Sequence, residues 1–107
     1  MQMSKIAEQV RDQVERQAVR VTAHAQAEMV EEGLTLEEVF EALRSGVMLE
    51  NYSEHRRGAC CLIGGRSMKN RPLHVVCTTS SPILVLITVY EPKLPKWSTP
   101  EERSTNR

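Results

Sequence analysis

The first part of the chain has the hydrophobic spacing of a narrow amphipathic helix. Ile6, Val10 and Val14 recur at every fourth position among Gln, Glu and Arg residues, so one helical stripe would carry them. A stripe this thin stabilises a helix only weakly, and we expect this helix, within residues 1–19, to need a partner surface. It would dock on the rest of the domain, dock on a second copy of the chain, or fray.

Two further helices are marked by residues typical of helix starts and ends. Thr22 is a good N-cap residue and Gly33 suits the left-handed position after a helix, which predicts a helix between them. Thr35 and Glu38 have the spacing of a capping box, which predicts a third helix that ends at Gly46. The apolar face of this third helix comes from Val39, Phe40 and Leu43.

From residue 47 the pattern changes to alternation rich in β-branched residues. It predicts strands near 47–52, 59–67, 72–79 and 83–91. The links between them are short, and short links join antiparallel strands because parallel crossovers need a dozen residues or more. The predicted fold class is therefore α+β, with the N-terminal helices packed on one face of a four-stranded antiparallel sheet.

Composition sets the domain boundaries around this pattern. The chain has 107 residues, of which 40% are hydrophobic and 26% charged, as expected for one globular domain. We assign residues 20–97 to this domain. After Pro92 the chain turns to Pro, Lys, Ser and Glu, so Trp97 would pack back on the body and residues 98–107 would form a loose tail.

The same sequence argues against several classes of protein. No apolar run reaches the roughly 18 residues of a membrane span, and the N-terminus has no apolar signal core, so we expect a cytoplasmic protein without membrane contact. Cys60, Cys61 and Cys77 have neither a disulfide pattern nor metal-ligand spacing. We therefore interpret them as small apolar residues and expect no metal and no cofactor.

Charge is distributed unevenly although the net charge is zero. Residues 1–54 carry five basic and eleven acidic groups, whereas residues 55–90 carry five basic groups and no carboxylate. Residues 91–107 carry four basic and three acidic groups. Such a split is typical of an acidic helical half packed on a basic sheet half, or of a face that binds a polyanion.

A few polar residues stand in apolar surroundings that suit chemistry. His74 interrupts a predicted strand, where burial would lower its pKa and favour proton transfer near neutral pH, although a structural histidine fits equally well. Tyr90 ends the last strand. Arg66 and Arg71 flank a predicted turn and carry the forked guanidinium that binds phosphate.

The register of the last two strands decides whether His74 and Tyr90 meet. A tight two-residue turn would place His74 opposite Ile87 and put the two candidate side chains on opposite faces of the sheet. A one-residue slip, for instance through a bulge at the Ser80–Ser81–Pro82 turn, would put them on the same face. Local sequence leaves both registers open.

Three segments resemble a known family. The run HAQAEMVEEGLTLEEVFEALRSG is similar to the helical half of the bacterial domain of unknown function 4258 family, and the runs LIGGRSMKNRPLHVV and VLITVYEPKLPKW are similar to its sheet half. The resemblance covers residues 20–97. Glu28 and Glu32 depart from it, since many members carry arginine there, which weakens a basic role for the helices.

The family is in turn similar in layout to RelE-like and MqsR-like toxins, small α+β ribonucleases of toxin–antitoxin systems with a RelE-like or barnase-like layout. This resemblance implies a metal-independent endoribonuclease in which a 2′-hydroxyl attacks the adjacent phosphate. The implied catalytic residues are His24, His74, Tyr90 and Arg66, with His74 as the base. The implied phosphate-binding residues are Arg56, Arg57, Lys69 and Arg71. Its partners would be an RNA substrate, an acidic antitoxin protein and, through the N-terminal helix, a second copy of the chain.

The alternative is a non-catalytic protein-binding or regulatory module whose histidines are structural. Clustering of His24, Arg66, His74 and Tyr90 in one open concavity would favour the ribonuclease. Dispersal of these residues over both sheet faces, or full burial of His74 behind satisfied hydrogen bonds, would favour the module.

Overall fold

The computed structural model describes residues 2–54, 58–79, 81–94 and 96–104. These residues form three α-helices and seven β-strands. The elements in chain order are α1 Gln2–Glu15, β1 Val19–Val21, α2 Ala23–Glu32, α3 Leu36–Ser45, β2 Val47–Tyr52, β3 Cys60–Arg66, β4 Pro72–Thr78, β5 Leu84–Tyr90, β6 Trp97–Thr99 and β7 Glu102–Arg103. Within these ranges no helix is long and apolar enough to cross a membrane.

Local capping signals define α2 and α3 as predicted. The Thr22 side chain accepts a hydrogen bond from the Ala25 N–H, and Gly33 closes α2 in the left-handed conformation at φ 65°. Thr35 and Glu38 form both hydrogen bonds of the predicted capping box at the start of α3. The two helices are thus fixed by contacts that span only a few residues.

The prediction of a four-stranded antiparallel sheet is wrong in strand number and direction. The sheet is mixed and has five strands in the order β1-β5-β4-β3-β2, and β1 pairs with β5 in parallel. The other three pairings are antiparallel. With only three residues, β1 is too short to show an alternating pattern, and its strand character comes from its pairing partner.

The main hydrophobic core lies between the helices and one face of the sheet. Val10 and Val14 of α1 are buried in this core, and α1 contacts α3, β2 and β5 of its own chain. The thin apolar stripe of α1 is therefore covered within the chain. At Gly65 the packing is so close that a Cβ would lie 1.9 Å from the Ala42 carbonyl oxygen, so α3 rests directly on β3.

A short hairpin covers the opposite face of the sheet. Trp97, at the start of β6, is only 3% exposed, and β6 pairs with β7 so that Trp97 lies opposite Arg103. We expected residues 98–107 to form a loose tail. Up to residue 104 the structure has this hairpin instead. The hairpin is ordered by contacts with distant residues of the sheet, which the polar composition of this segment does not reveal.

Candidate functional site

A β-bulge brings His74 and Tyr90 together. Val76 pairs with Thr88 but Cys77 pairs with Leu86, which leaves Ile87 as the extra residue on β5. His74 consequently pairs with Tyr90 across the two strands. The observed register is neither the pairing of His74 with Ile87 nor a one-residue slip from it, but the bulge at Ile87 does place both side chains on one face of the sheet, away from the helices.

The His74 ring is bonded at both nitrogens. Its Nε2 lies 2.6 Å from the Pro100 carbonyl oxygen, and its Nδ1 lies 3.1 Å from the Tyr90 hydroxyl oxygen. A carbonyl only accepts, so neutral His74 carries its proton on Nε2 and donates it to Pro100. Nδ1 is then the acceptor, and the Tyr90 hydroxyl donates to it.

Burial controls the titration of this pair. His74 is 1% exposed, and this burial lowers the pKa of its imidazole, although the Pro100 carbonyl partly opposes the effect. Burial also raises the pKa of the Tyr90 hydroxyl, partly offset by the nearby Trp97 indole N–H. That indole N–H makes no hydrogen bond of normal geometry among the described residues. The site therefore favours a neutral imidazole beside a protonated phenol.

The β6–β7 hairpin covers the His74 ring on the side of the sheet away from the helices. The Trp97 ring meets the His74 ring edge-on with centroids 4.4 Å apart. Arg103 binds both carboxylate oxygens of Glu50, at 2.6 and 2.9 Å, and its guanidinium lies 4.7 Å from the centre of the Trp97 ring. These contacts hold the hairpin over His74.

Glu50 is the acidic anchor of this cover. Its hydrogen bonds with Arg103 lower the pKa of its carboxyl to about 2, and it also accepts a hydrogen bond from the Tyr52 hydroxyl. Burial and the Glu50 carboxylate raise the pKa of that hydroxyl to about 12. Sequence reasoning missed Glu50, Tyr52 and Arg103, because they come from β2 and β7 and have no motif in common.

His24 lies apart from the His74–Tyr90 pair. Its exposed ring contacts Glu28 one turn later on α2, with 3.3 Å between Nε2 and Oε2. The other oxygen of Glu28 accepts a hydrogen bond from the Val89 N–H of β5. His24 therefore reaches the strand that carries Tyr90 only through Glu28.

Of the three arginines predicted to bind phosphate, Arg71 makes hydrogen bonds within the protein, and the other two lie outside the described residues. Arg71 donates to the Glu91 carboxylate at 2.9 Å and to the Glu32 carbonyl at 2.7 Å. Arg56 and Arg57 lie outside the described residues. Arg71 thus ties the end of α2 to the end of β5.

Arg66 and Lys69 are exposed at the turn between β3 and β4. Arg66 donates to the Asn70 carbonyl at 3.2 Å, and it lines an open groove of about 450 Å³ together with Arg44 and Met68. The structure therefore brings His74 and Tyr90 into contact, while Arg66 makes its contact at a separate turn.

The cysteines are apolar core groups in this structure. Cys60, Cys61 and Cys77 are fully buried and free, and Cys61 lies directly opposite Cys77 on neighbouring strands. A side-chain hydrogen bond with Cys61 and burial raise the pKa of the Cys77 thiol. Among the described residues no cluster of three or more His, Cys, Asp or Glu side chains is arranged to hold a metal ion.

Comparison with known proteins identifies the family. Neither the curated proteins nor the solved structures gave a significant match to the chain. A family model does match, over residues 21–91, a range that contains His24, Arg66, His74 and Tyr90 but not the hairpin that covers His74. Since the match spans more than half of the sequence, the chain belongs to the family described as Domain of unknown function (DUF4258).

Proposed function

We propose that the protein is a metal-independent endoribonuclease, the toxin of a toxin–antitoxin system, with His74 and Tyr90 at its centre. The observation that carries the proposal is the bulged register of β4 and β5, which joins the two side chains at 3.1 Å. The relationship to RelE-like and MqsR-like toxins is part of this proposal. RNA would be the substrate, and an acidic antitoxin protein would be the partner.

In this mechanism His74 removes the proton from an RNA 2′-hydroxyl. The hydroxyl oxygen attacks the neighbouring phosphorus and the bond to the 5′-oxygen breaks. That oxygen takes a proton from water, and the His74 imidazolium later returns its proton to water, which leaves a 2′,3′-cyclic phosphate and a 5′-hydroxyl. Burial favours the neutral imidazole that a base requires. Tyr90 would hold the ring and bind a phosphate oxygen, and Arg66 would stabilise the phosphate charge from the exposed turn.

The hairpin β6–β7 opposes this chemistry while it is closed. The Pro100 carbonyl holds the proton on Nε2, so the ring nitrogen that faces the hairpin is a donor and not a base. Once the hairpin lifts, the Tyr90 hydroxyl can rotate to accept a hydrogen bond from Nδ1–H, and Nε2 becomes free to accept a proton. The proposal therefore requires an open state of the hairpin, which is anchored by the partly exposed pair of Arg103 and Glu50.

A second candidate function is favoured by two observations: His74 is fully buried, and His24 and Arg66 do not join it in one open concavity. Both ring nitrogens have partners and the side chain is 1% exposed, as in a histidine that only stabilises the fold. In that case the chain is a non-catalytic protein-binding or regulatory module. Its histidines would have no contact with substrate.

An RNA cleavage assay separates the two candidates. Purified wild-type protein is incubated with RNA in the presence of a chelator, next to His74→Gln, Tyr90→Phe and, as a control, Arg16→Gln in the exposed turn after α1. The ribonuclease proposal expects cleavage with 2′,3′-cyclic phosphate ends, loss of cleavage in His74→Gln, and no change in Arg16→Gln. Thermal melts check that each variant is folded.

Arg103→Gln extends this assay to the open state of the hairpin. The ribonuclease proposal expects this variant to cleave faster than the wild type. If neither the wild type nor Arg103→Gln cleaves RNA, the ribonuclease proposal fails and the module is supported. Growth arrest on expression, relieved by the product of a neighbouring gene, would test the antitoxin.

A further inference from the structure

The outer edge of β5 is only partly paired with another strand. β1 pairs with Leu84, Val85 and Leu86 and then ends. On this edge of β5, opposite to the edge that pairs with β4, the described residues place no strand beside the later N–H groups. α2 follows β1 and runs along this open edge. Two of its carboxylates take the place of the missing strand.

These two carboxylates bind the residues on either side of Tyr90. Glu28 Oε1 accepts a hydrogen bond from the Val89 N–H at 2.8 Å, and Glu32 Oε1 accepts one from the Glu91 N–H at 2.9 Å. Tyr90 therefore lies between two backbone groups that are both held by α2.

We propose that Glu28 and Glu32 are positioning residues that hold Tyr90 against His74. A role of these glutamates in catalysis rests on the proposed ribonuclease function. Their role in fixing the contact between His74 and Tyr90 does not. Neither carboxylate contacts His74. They act through the backbone on both sides of Tyr90.

Helix and strand dimensions explain why this pair of glutamates fits. Residues four apart on a helix rise by about 6 Å, and residues two apart on a strand rise by about 6.6 Å. Glu28 and Glu32 are four apart, and Val89 and Glu91 are two apart, so the two spacings match closely. Each carboxylate also supplies a charged acceptor, which makes a stronger hydrogen bond than a neutral one.

Arg71 and His24 complete this edge. Arg71 joins the Glu91 carboxylate to the Glu32 carbonyl, so the end of β5 is tied to the end of α2 a second time. His24 contacts the remaining oxygen of Glu28. His24 and Arg71 thus belong to the support of Tyr90, a role different from the direct contact with RNA that the resemblance implied.

The bulge explains why such support matters. The extra residue Ile87 interrupts the ladder between β4 and β5, and a shift of one residue after it would turn Tyr90 to the other face. The hydrogen bonds at Val89 and Glu91 oppose that shift, because both would have to break for the strand to move.

The experiment compares alanine and glutamine variants at both positions by NMR. Glu28→Ala and Glu32→Ala are expected to speed exchange of the Val89 and Glu91 amide hydrogens, respectively, by about tenfold or more. Both are expected to shift the Nδ1 resonance of His74, because Tyr90 loses its fixed position. Glu28→Gln and Glu32→Gln keep an acceptor oxygen and are expected to stay close to wild type.

Glu31→Ala is the matched control, since Glu31 is exposed on the same helix and carries the same charge. An unchanged His74 resonance in both alanine variants would overturn the proposal, as would glutamine variants that behave like the alanine ones. Because these signals do not depend on RNA cleavage, an inactive wild-type protein would refute the ribonuclease function and leave this positioning role standing. If one alanine variant fails to fold, the other tests the same pair from the opposite side of Tyr90.

Discussion

Replacing Arg103 with glutamine is expected to loosen the β6–β7 hairpin from the sheet. The arginine binds both oxygens of Glu50 and lies over the Trp97 ring, so one substitution removes an ion pair and a cation–π contact together. Glutamine keeps much of the side-chain length but has no charge and no fork of donors. The perturbation therefore acts on the cover of His74 and leaves the main core unchanged.

The size of the effect follows from the exposure of the groups. The side chains of Arg103 and Glu50 are 46% and 25% exposed, so solvent screens the pair, and such pairs contribute about 0.2–1 kcal/mol. A cation–π contact at an exposed site adds about 0.5–1 kcal/mol. Together they amount to about 0.7–2 kcal/mol, which would raise the open fraction of the hairpin about 3- to 30-fold.

Hydrogen exchange in the native state measures this opening. The backbone N–H of Trp97 donates to the Lys93 carbonyl, and the backbone N–H of Ser104 donates to the Lys96 carbonyl. Exchange of these two amide hydrogens therefore reports on the hairpin. Their exchange should accelerate by the same roughly 3- to 30-fold in Arg103→Gln, while the amides of the main sheet change little.

Arg16→Gln serves as the control, because Arg16, just after α1, forms a highly exposed ion pair with Asp12 that should contribute less than about 0.5 kcal/mol. Equal exchange in the two variants would refute the assignment of Arg103 as an anchor.

Acidification gives a second check. Since the pKa of Glu50 is about 2 in the folded protein, its contribution is fully present above its ordinary value near 4.5 and is lost as the pH falls towards 2. The difference between wild type and Arg103→Gln should shrink over that interval.

Two further predictions concern the burial of His74 and the packing of α3. NMR titration should give His74 a pKa below 6.5, and the free energy of unfolding should decrease as the pH falls below 6.5, because the unfolded chain then binds a proton that the folded chain does not. Trp97→Ala should raise this pKa towards its ordinary value by exposing the ring, and an unchanged pKa would contradict burial as its main cause. Gly65→Ala should lower the free energy of unfolding in urea by about 3 kcal/mol or more, since the added Cβ would overlap the Ala42 carbonyl, whereas a cost below about 1 kcal/mol would refute that close contact.

Much of the fold could be read from local sequence. Thr22, Gly33 and the Thr35–Glu38 capping box predict α2 and α3, because caps and helical periodicity act over a few residues. The bounds of β2 to β5 lie within about a residue of the predicted ones for the same reason, since alternation is a property of the strand itself. His74 and Tyr90 could also be singled out, as polar residues in an apolar strand and at its end.

What the sequence by itself determined was therefore the helices, the four longer strands and the candidate pair. Only the tertiary structure decided that a bulge at Ile87 joins that pair, that β1 adds a fifth strand in parallel, and that Arg103 and Glu50 close a hairpin over His74. Only the tertiary structure also decided that Glu28 and Glu32 accept hydrogen bonds from backbone N–H groups at the edge of β5. The physical reason is distance along the chain. Each of these contacts joins residues that no local pattern relates, and pairing register depends on the packing of whole elements.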